Sequence, residues 1–175
     1  MSQSTPLSNT SARLQSCVLN DTERRLLSGP TSRWWDAHRL RTETFAAIRS
    51  RRGGRPMTLA VYAIGARQRL GCGETELRPK DTIAALEKHA AAHGFHTCGA
   101  WWDPSGLAPE DRAGLHTVYN LVREGRAHGL LTLNERDLSC EANDYWSVVE
   151  AATRRAWVVL HASPLRCPAT VHTAS

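Results

Sequence analysis

Few side chains in this sequence have a claim to chemistry, and each claim is narrow. Ser105 and Ser139 fall in loops at the carboxyl ends of strands, and Cys72 sits between Gly71 and Gly73. A hydroxyl or thiol becomes a useful nucleophile when a base stands beside it. Nothing in the sequence places a base beside any of the three, so they read as ordinary loop residues. Gly65, Gly71 and Gly73 miss the GxGxxG and GxxxxGK[ST] spacings that cradle phosphates, which argues against a nucleotide-binding loop. His89 and His93 stand at i and i+4 and could share a metal. The eight histidines form no HExxH or other paired-ligand pattern, however, and these two read as exposed helix residues. The five cysteines, at 17, 72, 98, 140 and 167, are odd in number and form no CxxC pair. That argues against a disulfide framework or a zinc site. No metal and no cofactor is expected.

The arginines are the stronger signal. The net charge of +5 is uneven: residues 1–56 hold ten arginines against four acids, whereas residues 57–175 hold twelve Lys+Arg against thirteen acids. A basic front segment beside a near-neutral domain points to a polyanion, most often nucleic acid. The bland alternative is a solvated leader in a protein that prefers arginine to lysine. Arg49, Arg51, Arg52 and Arg55 are the candidate DNA contacts, grouped around a Gly-Gly hinge. Upstream, 32–52 lacks Gly and Pro and reads as a helix rich in Trp and Arg. Trp34 and Trp35 could stack on bases, but packing on the neighbouring domain is the favoured reading.

The elements that must position these residues follow from periodicity. The run at 58–64 is apolar, rich in β-formers and bounded by Gly and Pro, as a buried strand should be. A loop over 65–78 follows, and ligands in α/β folds gather where strands meet such loops. Pro79 starts a helix to about 93, with Ile83, Leu86 and Ala90 inward. A second strand over 95–102 ends in an Asp103-Pro104-Ser105-Gly106 turn, and Trp101 and Trp102 should divide between core and cleft. Acids in the first turn favour a helix from 109, on which Leu115, Val118, Tyr119 and Val122 recur at helical spacing until Gly125. A strand over 129–133, a helix over 141–153 and a strand over 156–161 complete the alternation. The expected fold is α/β, with a mostly parallel four- or five-stranded sheet flanked by helices. The expected division is a basic, partly disordered arm over 1–56, the α/β domain over 57–162 and a flexible tail over 163–175. No run approaches the about 20 apolar residues that span a bilayer, and 1–16 has no apolar signal core, so a cytoplasmic protein is expected.

Taken in order, Val61-Tyr62-Ala63, a helix ending at Gly94, the Ser105-Gly106 turn, Asp111-Arg112-Ala113-Gly114-Leu115 and a helix closing at Gly125 resemble the catalytic domain of serine recombinases, the resolvase/invertase family. The resemblance covers about 58–162 and implies a resolvase-like fold. It also implies an activity in which a serine attacks a DNA phosphodiester while arginines neutralise the phosphoryl oxygens, without metal. Matched position by position, the family's serine falls on Ala66 and the arginine two residues earlier on Ile64. The family's Asp-Arg-Leu-Ser-Arg falls on 136–140, so its two arginines become Asp137 and Cys140. Only Arg112 is retained, and a role bracing its helix suits it better than catalysis. Removing one oxyanion donor costs about 100- to 1000-fold in rate, so losing the nucleophile and three cations should abolish the reaction. The segment 163–175 carries no helical period long enough to match the family's dimerisation helix. The resemblance thus implies a degenerate, non-enzymatic recombinase-like domain from a mobile element, binding DNA or a protein partner. The alternatives are an active strand-exchange enzyme with an unrecognised nucleophile, or an unrelated α/β domain that binds a small ligand.

Overall fold

The computed structural model describes residues 30–70, 73–77 and 79–164, with the backbone alone at 30–32, 66–70 and 73–77. Helix α1 (Pro30–Arg51) leads into strand β1 (Thr58–Ile64), a hairpin of β2 (Ala66–Leu70) and β3 (Gly73–Leu77), and helix α2 (Lys80–Ala92). Strand β4 (His96–Asp103), helix α3 (Ala113–Arg123), strand β5 (Gly129–Thr132), helix α4 (Ala142–Arg154) and strand β6 (Val158–His161) follow. Short 3-10 turns at Pro109–Asp111 and Glu135–Asp137 precede α3 and α4.

The α/β expectation holds. The main sheet has four strands in the order β4-β1-β5-β6, and every pairing is parallel. β1 is buried because its alternate residues feed two cores. Leu59, Val61 and Ala63 pack with Ile83, Leu86 and Ala90 of α2. Ala60 and Tyr62 pack with Leu115, Val118 and Leu121 of α3 and with Tyr145 and Val149 of α4. The register of β1 and β4 shifts between Leu59 and Ala60, which leaves Cys98 as the extra residue. Such a bulge re-aims the chain beyond it. Trp101 then packs into the α3/α4 core and Trp102 into the α2 core, both half-buried.

Two local expectations need correction. Residues 65–78, read as a loop, hold the antiparallel β2–β3 hairpin, in which Arg67 pairs with Glu76 and Arg69 with Glu74. The helix read from 109 is broken: Pro109–Asp111 forms a 3-10 turn, Arg112 is extended at φ −87° and ψ 94°, and α3 begins at Ala113. The main sheet, expected to be mostly parallel with four or five strands, has four, and the hairpin forms a separate two-stranded sheet.

Helix α1 packs beside α4 and against β6. Trp34 stacks on Tyr145 with ring centroids 5.0 Å apart, and Thr44 Oγ1 lies 2.8 Å from Thr153 Oγ1. These contacts pair 34 with 145 and 44 with 153, so α1 runs parallel to α4. Its inward stripe, at helical spacing, includes Trp34, Ala37, His38, Arg41 and Thr44, and both Ala37 and Arg41 are buried. No helix among the described residues is long and apolar enough to cross a membrane.

Candidate functional site

The strand order reverses direction at β1: the chain moves outward to β4, then back across β1 to β5 and β6. In an open parallel sheet such a switch point opens a crevice beyond the carboxyl ends of the strands. The side chains that reach this edge are Asp103 from β4, Thr132 from β5 and His161 from β6, with Arg112 and Asp137 from the intervening loops.

Asp103 is buried and holds the start of α3. Its carboxylate accepts the Gly114 and Leu115 amides at 2.8 and 2.9 Å and the Tyr62 hydroxyl at 2.9 Å. These are the amides that a helix start leaves unpaired, and the charge suits the positive end of the helix dipole. Arg112, the formal cap, makes no side-chain cap bond. This explains why α3 starts at Ala113. It also explains Gly114, where a Cβ would stand 2.7 Å from the Trp102 carbonyl oxygen and 3.0 Å from Asp103 Oδ2. Burial raises the Tyr62 pKa strongly, its bond to Asp103 and that residue's charge add to the rise, and Arg112 opposes it.

Arg112 is 8% exposed, and its guanidinium braces two loops. Nε donates to the Leu107 carbonyl at 3.0 Å, and one terminal nitrogen donates to the Asp137 and Leu138 carbonyls at 2.8 and 3.4 Å. Asp137 hydrogen-bonds to it only through its backbone carbonyl. The Asp137 carboxylate instead accepts the Leu133 and Asn134 amides at 2.9 and 3.3 Å, while Asn134 accepts the Arg136 amide in a capping box. Burial raises the Asp137 pKa, and those amides and Arg112 partly offset it. Ile64 is half-buried against the α3/α4 core, and Cys140 is exposed on the approach to α4. Ala66 opens β2 opposite Leu77, and its side chain lies outside the described ones. The residues matched to the recombinase family thus gather loosely at this edge, and the two charged ones are occupied by backbone.

A second polar chain lies between β5, β6 and α4. Tyr145 Oη is 2.8 Å from His161 Nε2, His161 Nδ1 is 2.7 Å from Thr132 Oγ1, and Thr132 donates to the Asn134 carbonyl at 3.0 Å. A carbonyl only accepts, so the threonine proton goes to Asn134, His161 Nδ1 carries a proton, and Nε2 accepts from Tyr145. Burial, with Arg41 and His38 adding, pushes His161 down to about 2, so it is neutral. Arg41 lies 2.9 Å from His38 Nδ1, which must accept, and buried Glu135 acts on both His38 and Tyr145. Sequence reading did not pick out this group. The signal was available: His161 is a polar residue ending an apolar strand, and Arg41 stands one turn from Ala37 on the inward stripe of α1.

Of the serines weighed as nucleophiles, Ser139 is held by backbone groups. Ser139 Oγ accepts the Glu141 amide at 3.0 Å and contacts the Glu141 carbonyl at 3.3 Å. It lines a cavity of about 370 Å³ with His116, Glu110 and Asp144, but His116 Nε2 is bound to the Glu110 carbonyl at 2.8 Å. Ser105 is half-buried in its turn, and Cys72 lies outside the described residues. His93 Nδ1 is bound to the His89 carbonyl at 2.8 Å, and no group of three metal-ligating side chains occurs among the described residues.

The opposite edge of the sheet differs. Every main-sheet crossover helix ends there, and so does α1 because it runs parallel to α4. Arg49 and Arg51 in the last turn of α1, with Arg52 and Arg55 beyond it, are joined by Arg123, Arg126, Arg154 and Arg155 from the ends of α3 and α4. All are exposed except Arg52, which is half-buried and donates to the Pro56 carbonyl at 3.1 Å. Arg154 contacts Glu150 at 3.3 Å, and Arg49 and Arg155 lie over the rings of Phe45 and Trp157. A cation in a last helical turn is favoured by the dipole by about 0.3–1 kcal/mol. Arg52, Arg55, Arg126 and Arg155 stand beyond their helices, so the dipole alone does not account for the rim. Comparison with protein-family models, curated proteins and solved structures finds no match. Fold and edge chemistry define the class alone: an α/β domain with a parallel main sheet, a carboxyl edge whose Asp103, Arg112 and Asp137 hold backbone groups, and an arginine-rimmed amino edge.

Proposed function

We propose that the chain is a non-enzymatic DNA-binding domain on a resolvase-like framework, gripping phosphates through its amino edge. The observation that carries this reading is the rim itself, eight arginines brought to one edge from three separate stretches of chain. Arginine is the side chain best matched to phosphate, and phosphate contacts supply most sequence-independent affinity. Two features of the carboxyl edge support the absence of recombinase chemistry. The serine position holds Ala66, and the retained Arg112 directs Nε and one terminal nitrogen to the carbonyls of Leu107, Asp137 and Leu138.

The test is fluorescence anisotropy with a short labelled duplex at rising salt. If about five arginines reach phosphates, log K falls against log salt with a slope of about −4.5. Replacing Arg49, Arg51, Arg55 and Arg126 by Gln together should reduce that slope by about four and weaken binding at least about 100-fold at low salt. An unchanged affinity, or a flat salt response in the natural chain, refutes the proposal.

A further inference from the structure

Residues of helices α3 and α4 and of strands β5 and β6 line a cavity of about 340 Å³. That volume falls at the small end of ligand sites, which run from about 300 to 1,000 Å³. The floor is apolar, from Leu130 and Val159, and α4 supplies Val148 and Ala151. Tyr119 of α3 lines this cavity and also the neighbouring one of about 370 Å³, and its buried hydroxyl has no hydrogen-bond partner among the described residues. Burial raises its pKa to about 12, so it remains a donor at neutral pH. Arg123 and Arg155 also line the cavity, at the ends of their helices on the amino edge. Apolar floor, buried hydroxyl and two lining cations are each ordinary alone. Together they fit one chemistry.

We propose that this cavity binds a small acid with a flat apolar body. The body lies on Leu130, Val148 and Val159, the anion faces Arg123 and Arg155, and the Tyr119 hydroxyl donates to an oxygen at the inner end. An apolar contact surface with a few placed polar groups is the usual build of such sites, and a charged donor gives the stronger hydrogen bond to the anion. The same chemistry has two sources, a free aromatic acid or a base and its phosphate on a nucleic-acid strand. The site shares Arg123 and Arg155 with the rim above, but the DNA variants leave both intact, so the two readings fail separately.

The experiment titrates the full chain with 6-hydroxy-2-naphthoate, followed by its own fluorescence, and with the neutral 2-naphthol. The acid should bind at least about tenfold more tightly at low salt, and Arg123→Gln with Arg155→Gln should erase that preference. Tyr119→Phe should weaken the acid several-fold, and Ala151→Trp should block both compounds. The indole N–H resonance of Trp157, which lines the cavity, should shift on titration of the natural chain, a readout that needs no variant. Equal affinity for the two compounds, or no shift at Trp157, overturns the proposal. Displacement of bound naphthoate by oligothymidylate assigns the site to a strand, and its failure to displace assigns it to a free acid.

Discussion

The carboxyl edge of the sheet and its amino edge both carry charged side chains, but those side chains have different partners. At the carboxyl edge Asp103, Asp137 and Arg112 hold backbone groups: two helix or turn starts for the acids, three carbonyls for the arginine. At the amino edge Arg49, Arg51, Arg55 and Arg126 are exposed. The difference has a geometric origin. Parallel crossovers place every following helix start at the carboxyl edge, where unpaired amides want anions. The loops there, 104–112 and 133–141, are long and carry carbonyls that need donors. The amino edge has short connections and helix ends that favour cations. The edge where ligands are usually sought in α/β folds is here committed to the fold, and the free charge lies at the other.

Removing the central anion should break the carboxyl edge first. Asp103→Ala strands two amides and the buried Tyr62 hydroxyl, and the expected loss is about 3–5 kcal/mol in urea unfolding. Asp103→Asn, which keeps an acceptor but not the charge, should cost less. If both variants melt like the natural chain, Asp103 does not hold α3. Arg112→Gln should cost about 2–3 kcal/mol, since several buried carbonyls lose a charged donor. It should leave DNA affinity unchanged. Loss of DNA binding in a folded Arg112→Gln chain would erase the distinction between the edges.

Periodicity made most elements legible and left three features hidden, each for a physical reason. The strand at 58–64 was readable because a strand buried on both faces is continuously apolar. The start of α3 was misplaced because its cap, Asp103, belongs to a strand, and local patterns report local caps. The hairpin over 66–77 was hidden because its alternation is of charge, Arg67 and Arg69 against Glu76 and Glu74, and not of hydrophobicity. The inward stripe of α1 contains His38 and Arg41, so an apolar count undervalued it. For the sites, Arg49, Arg51, Arg52 and Arg55 are adjacent in sequence and stood out by charge. Arg123, Arg126, Arg154 and Arg155 join them only because α1 runs parallel to α4, which no local pattern states.

The buried His161 gives a pH test of intermediate size. Its folded-state pKa of about 2 lies below the ordinary value near 6.5. The unfolded chain therefore takes up a proton that the folded chain refuses, and stability is lost as pH falls below about 6.5. Between pH 7 and pH 5 the loss from this residue is about 2 kcal/mol. His38 and His89, also lowered by burial, act in the same direction, while Asp137, raised by burial, acts in the opposite one. The quantity to measure is therefore the difference in that pH slope between the natural chain and His161→Gln. A difference near zero would mean that the Tyr145–His161–Thr132 chain is not formed as described.

The smallest expected effect makes the sharpest test of the comparison. If the amino edge serves binding and not folding, the Arg49, Arg51, Arg55 and Arg126→Gln variant should unfold within about 0.5 kcal/mol of the natural chain, as exposed substitutions usually do. Two terms set that expectation. Losing the arginines in the last turn of α1 removes some favourable dipole interaction, at most about 1 kcal/mol for each at low salt. Separating positive charges crowded along one rim returns a similar amount by relieving repulsion, and both terms shrink together as salt rises. Near-cancellation at all salt concentrations, beside a large fall in DNA affinity, is the pattern of a surface kept for a polyanion. A variant that loses more than about 1.5 kcal/mol at moderate salt would instead make the rim part of the fold, and the contrast between the two edges would fail.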